Sequence, residues 1–124
     1  MVQSIGIDLV EIKRIEKTIS KHGNRFAGRI LGADELSAFN ARHDKAEYLA
    51  GRFAAKEAII KSLGKFLNRR PTYASLQILN DKSGHPFLSG KKELSKVFKN
   101  RNCLISISHE RHYATAIAMI TDKQ

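Results

Sequence analysis

A single cysteine, Cys103, excludes an intramolecular disulfide. It lies in the apolar run "NCLISIS", which points to a packed side chain rather than a reactive thiol. That cysteine usage suits a reducing, cytoplasmic setting. No apolar run approaches the ~20 residues that span a membrane, so no membrane is expected as a partner. The opening "MVQSIGIDLV" lacks a basic n-region and meets Asp8 early, so it is not expected to act as a signal peptide. Internal repeats, low-complexity tracts and linkers are absent, and one domain over residues 1–124 is expected. A Walker A loop, a GxGxxG run, a CxxC pair and an HExxH helix are absent too. Aromatic residues are only 7% of the chain and do not interleave with the basic clusters. With no RNP signature, zinc-finger spacing or helix-turn-helix cue, a small basic nucleic-acid-binding protein is the alternative reading rather than the leading one.

What is present is ordinary for a globular domain: 42% hydrophobic and 27% charged residues, which argues against disorder. Basic residues number 22 against 12 acidic, and the net charge of +10 implies an anionic partner or substrate without saying which.

Hydrophobic period orders the elements. "VQSIGIDLV" reads as a strand, with Val2, Ile5 and Ile7 offered to a core. "EIKRIEKTISKHG" reads as a helix with Ile12, Ile15 and Ile19 on one face and Gly23 to end it. "RFAGRIL" is not typed by its pattern. "ADELSAFNARH" is a further helix, with Asp34 and Glu35 in its first turn. A long helix over 45–63 carries the apolar row Leu49, Phe53, Ile60, Leu63 and a small-residue stripe, Ala46, Ala50, Ala54, Ala58. The stripe would let another element approach closely. "YASLQILND" alternates as a strand, "NDKSGHP" is a turn, and "KKELSKVFKN" is a short helix. "CLISISHE" and "YATAIAMIT" form a hairpin around a short connection. The expected fold is α+β, a mainly antiparallel sheet packed with a long central helix and shorter helices.

Two carboxylates stand out. Glu57 falls inside the apolar row of the long helix, and Asp8 ends the first strand. Read singly, Asp8 is a helix-start residue and Glu57 forms an i, i+4 ion pair with Lys61 worth a few tenths of a kcal/mol. Read together, they could hold Mg²⁺, which takes one or two carboxylates along with water and phosphate. Lys61, one turn on, would then neutralise a phosphate oxygen. Spacing alone does not bring them together. Ser108-His109 ends a strand, where a cap or turn is the simpler reading. Lys13, Arg14, Lys17 and Lys21 gather on the outward side of the first helix, either as a solvated face or as a dock for an acidic partner.

Three stretches in order, "GIDLVEIKRI", "YLAGRFAAKEAIIKSLG" and "ISISHERHYATAIAMI", resemble the holo-[acyl-carrier-protein] synthases, small phosphopantetheinyl transferases. The resemblance implies Mg²⁺-dependent transfer of the 4′-phosphopantetheine arm of coenzyme A to a serine of acyl carrier protein, in fatty acid biosynthesis. It implies a homotrimer with active sites at subunit interfaces. It implies that Asp8 and Glu57 bind the metal and that Lys61 serves the reacting phosphate. Arg52, Ser108, His109 and the turn holding His85 and Pro86 would lie near the nucleotide. Lys56 would be another phosphate contact or a surface charge. Arg14 and its basic neighbours would dock the acidic carrier. One departure is plain. The family's glycine-rich loop is replaced by "LGKFLNRRPTYASL", with only Gly64 retained and Lys65, Arg69 and Arg70 added. That change is expected to alter the nucleotide pocket or a subunit contact and to leave the metal site intact.

Overall fold

The computed structural model describes residues 1–123. The chain runs β1 (Val2–Glu11), α1 (Ile12–His22), α2 (Asn24–Ile30), α3 (Ala33–Asn40), α4 (Lys45–Leu63), β2 (Ile78–Asn80), β3 (Pro86–Leu88), β4 (Arg101–His109) and β5 (Tyr113–Asp122). β1, β5 and β4 form one antiparallel sheet in that order, and β2 pairs with β3 in a small antiparallel ribbon. The fold is therefore α+β, with the 19-residue α4 laid across the larger sheet.

Small residues set how close α4 lies. Ala50, Ala54 and Ala58 are completely buried. Opposite them, a Cβ on Gly6 would stand 2.0 Å from the carbonyl oxygen of Ala58, so β1 can pass only because residue 6 has no side chain. Strand alternation then sends Gly6, Asp8 and Val10 toward the helix. Ala114, Ala116, Ala118 and Ile120 of β5 face the same way and are buried.

The opposite face of this sheet is where expectation and structure part. Val2, Ile5 and Ile7 do not enter the core. Ile5, Ile7 and Leu9 are 55%, 62% and 63% exposed, and Leu104 on β4 is 58% exposed, so the outer sheet face is apolar and uncovered. Pairing aligns Ile5 with Met119 and Met119 with Leu104, which makes the face continuous across three strands.

α1 buries Ile12 and Ile15, with Ile19 partly covered. It ends at Gly23, whose φ of 57° is left-handed and whose N–H donates to the Ile19 carbonyl at 2.7 Å. The untyped "RFAGRIL" stretch is helical, burying Ala27 and Ile30. Only 78–80 of the expected strand pairs, although Leu76 and Ile78 are both buried. The expected helix over 91–100 is instead two single 3₁₀ turns, Lys92–Leu94 and Val97–Lys99. Leu94 and Phe98 still bury at helical spacing, but a segment tied to β3 and β4 at its two ends curls without continuing. Cys103 packs against the core, and burial pushes its thiol up to about 11, so it holds little thiolate.

Candidate active site

Asp8 reaches the helix-facing side of β1 from within the strand, which runs on to Glu11, and not from the strand's end as expected. Glu57 projects from α4. The two line one cleft of about 430 Å³ with Arg14, Phe53, Arg70 and Tyr73. The i, i+4 pairing of Glu57 with Lys61 does not form. Lys61 Nζ donates instead to Asp8 Oδ1 at 2.9 Å and to the Ile7 carbonyl at 3.0 Å. Glu57 finds its cation elsewhere: Arg70 Nη2 donates to Oε1 at 2.9 Å, and the Tyr73 hydroxyl donates to the same oxygen. No hydrogen bond falls on Oε2 among the described residues. Asp8 and Glu57 are 18% and 20% exposed, sheltered yet reachable, while Lys61 and Arg70 are 53% and 58% exposed.

Arg70 and Tyr73 are site residues that sequence reasoning misses. The loop that departs from the family pattern reaches one of the two carboxylates, since its Arg70 and Tyr73 both bond Glu57. Tyr73 packs edge-on against Phe53 with ring centroids 5.3 Å apart. Burial first, then the hydrogen bond to Glu57, push its phenol above the ordinary value, so it stays a donor. The only signal in the sequence is bulk and charge where glycine is expected.

Lys56 is neither a phosphate contact nor a surface charge. Its side chain is fully buried and donates to Glu35 Oε1 (2.6 Å), the Ile30 carbonyl (2.6 Å) and the Tyr73 carbonyl (3.0 Å). Three donors meet three acceptors, so nothing remains for a ligand. Glu35 is equally occupied, accepting from the backbone N–H of Gly32 at 3.0 Å and of Ile78 at 2.9 Å. Burial lowers the Lys56 ammonium below the usual lysine range, and Glu35 counters it.

Arg52 is 8% exposed. Its guanidinium lies 4.8 Å over the Tyr48 ring and donates to Asn80 Oδ1 at 3.1 Å. Its Nε has no partner, a deficit that an anion nearby would ease. Asn80 leads into the turn in which Asp81 Oδ1 accepts from the N–H groups of Ser83 (2.9 Å) and His85 (3.0 Å). His85 is exposed there, with Ser83 Oγ 2.8 Å from its Nδ1, and Pro86 opens β3. Ser108 and His109 end β4, both exposed. Gly64 caps α4, and a Cβ there would meet nothing, so space does not demand glycine. None of Arg52, Gly64, His85, Pro86, Ser108 or His109 lines the Asp8–Glu57 cleft. Lys13, Arg14, Lys17 and Lys21 are all exposed on α1, and Arg14 lines the rim of that cleft.

The donor set suits one kind of metal. Asp8 and Glu57 share the cleft, with Glu11 also in its lining, and no group of three or more His, Cys, Asp or Glu gathers closely enough to hold a metal among the described residues. A structural zinc site needs more ligands. Mg²⁺ does not, because it keeps waters and takes phosphate oxygens as ligands. Asp8 and Glu57 fit it as the protein's share.

In this α+β domain Asp8, Glu57, Arg14 and Arg70 thus line one cleft, and Lys61 is bonded to Asp8. The profile of the 4′-phosphopantetheinyl transferase superfamily matches residues 4–118. A holo-[acyl-carrier-protein] synthase of Protochlamydia amoebophila is 43% identical over 96% of this chain and 98% of its own length. The crystal structure of the Neisseria meningitidis synthase superposes with a TM-score of 0.87 at 31% identity, covering 98% of this chain and 100% of that one. A Bacillus anthracis synthase in complex with CoA (3′,5′-ADP) superposes at 0.81, also at 31% identity, covering 99% of each chain. The chain belongs to the 4′-phosphopantetheinyl transferase superfamily and, within it, to the holo-[acyl-carrier-protein] synthases.

Proposed function

We propose that this chain transfers the 4′-phosphopantetheine group of coenzyme A to a serine of apo acyl carrier protein, releasing 3′,5′-ADP, with Mg²⁺, in the cytoplasm, for fatty acid biosynthesis. The observation that carries it is the joining of Asp8 and Glu57 on one cleft, with Lys61 on Asp8 and Arg14 at the rim. Mg²⁺ held by Asp8 and Glu57 would draw charge from the phosphate it contacts. Lys61 is anchored by Asp8 and by the Ile7 carbonyl, so its ammonium is held beside Asp8 and can stabilise charge developing on a phosphoryl oxygen. Each of the two acids faces a cation of its own, Lys61 for Asp8 and Arg70 for Glu57. Arg52, with an unpartnered Nε and a bond to Asn80 at the head of the His85 turn, supports a nucleotide-phosphate contact outside the Asp8–Glu57 cleft, to which the Ser108-His109 end of β4 would add. Arg14, Lys13, Lys17 and Lys21 form the dock for the acidic carrier.

Two features support a homotrimer with active sites completed between subunits. The outer sheet face is apolar and uncovered. The proposed metal residues and the proposed nucleotide residues do not share a cleft within one chain. The nucleic-acid alternative finds no support in the family match, and no helix is long and apolar enough to cross a membrane.

The test is mass spectrometry of apo acyl carrier protein after incubation with this protein, coenzyme A and Mg²⁺, with a chelator control. A gain of about 340 Da, the arm's mass from its formula, seen only with metal, is the expected result. An unchanged mass across several carriers would overturn the assignment.

A further inference from the structure

Tyr73 is fixed from three directions. Lys56 Nζ holds its carbonyl at 3.0 Å, Phe53 meets its ring at 5.3 Å, and its hydroxyl donates to Glu57 Oε1. Arg70 is held far less firmly. Its Nη2 touches Glu57 Oε1 at 2.9 Å and the Tyr73 hydroxyl at 2.7 Å, but its side chain is 58% exposed. Both groups converge on one carboxylate oxygen and leave Oε2 without a partner among the described residues. A neutral phenol and a cation have opposite consequences there. The phenol orients the carboxylate without competing for its charge. The guanidinium neutralises it and repels a divalent ion, yet its planar fork suits phosphate.

Building on the phosphopantetheinyl-transfer reading, we propose that Tyr73 and Arg70 divide the control of Glu57. Tyr73 is a positioning residue that fixes Oε1 and leaves Oε2 for the metal. Arg70 is a resident counter-ion that gives up the carboxylate when metal arrives and passes to a phosphate of coenzyme A. Metal and coenzyme A then favour each other's binding, since each supplies what the other's arrival removes from Arg70 or Glu57.

The experiment measures Mn²⁺ binding by electron paramagnetic resonance, without and with coenzyme A, for the full chain and for Tyr73→Phe and Arg70→Gln, with thermal melts as the control for folding. Tyr73→Phe is expected to weaken Mn²⁺ binding about 10-fold or more in both conditions, the size of a lost outer-shell partner. Arg70→Gln is expected to move the other way without coenzyme A, binding Mn²⁺ roughly 2–5-fold tighter, the size of an exposed charge interaction. The same variant should bind coenzyme A about 10-fold more weakly. A merely structural loop cannot give opposite signs. Both variants shifting Mn²⁺ affinity in one direction, or neither shifting it, overturns the proposal while leaving the transfer reading standing. No Mn²⁺ binding by the unaltered protein in either condition overturns the metal assignment and this proposal together.

Discussion

Lys56 and Glu57 are neighbours on α4, and each belongs to a carboxylate–cation pair, but the two pairs live in opposite surroundings. Lys56 and Glu35 are sealed from solvent and satisfied at every donor and nearly every acceptor site. Glu57 and Arg70 meet at a cleft, with one carboxylate oxygen crowded and the other free of hydrogen bonds among the described residues. Ion pairing alone therefore does not mark a site. A pair with no capacity left ties α3, α4 and the 73–78 segment together. A pair with capacity left can exchange partners. The two are mechanically joined, since Lys56 holds the carbonyl of the same Tyr73 whose hydroxyl reaches Glu57.

The largest effect should come from the sealed pair. Lys56→Ala leaves the Glu35 charge buried without its cation and should destabilise the fold by about 3–5 kcal/mol. Urea unfolding measures it, and an unchanged midpoint would mean that the sealed pair is not structural. Glu57→Gln should do the reverse, lowering Mg²⁺-dependent transfer roughly 100–1,000-fold with the melt nearly unmoved. Steady-state transfer and calorimetry on one preparation check both halves, and near-normal turnover would remove the distinction between the pairs. Gly6→Ala tests the support beneath the open pair. Its Cβ would collide with Ala58 backbone, so a loss of at least about 1–3 kcal/mol is expected, with activity falling because β1 carries Asp8. Denaturant unfolding measures it, and an undisturbed fold would show that α4 can give way. The smallest effect sharpens the cleft's outer rim. Arg14→Glu should weaken carrier binding roughly tenfold with coenzyme A binding little changed, and carrier binding should weaken as salt rises. Titrations against both ligands decide, and equal losses would assign α1 a structural role.

Much of this architecture is legible in the order of residues. The 45–63 helix, the small-residue stripe that admits β1, Gly23 as a helix end and the hairpin around 110–112 follow from period and turn chemistry. Asp8, Glu57 and Lys61 stand out through the family resemblance, and the chain brings all three to one place. The errors share a cause. Apolar Ile5 and Ile7 read as core, because sequence does not say which face of a strand is covered. Lys56 reads as a ligand or surface charge, because nothing in "FAAKEA" reveals Glu35 across the core.

The amino-acid order by itself determined α1, α3, α4, β1 and the β4–β5 hairpin, the excess of positive charge and the residue types able to handle a phosphate. These depend on spacings of a few residues, which the local backbone enforces. Only the tertiary structure decided the partners. Lys61 turns to Asp8, 53 positions away, and not to Glu57 one turn back. Arg70 and Tyr73 come from a loop to claim the acid that Lys61 left. A charge pairs with whichever opposite charge the fold brings within about 3 Å, and that proximity is set by how α4 settles on the sheet, over Gly6.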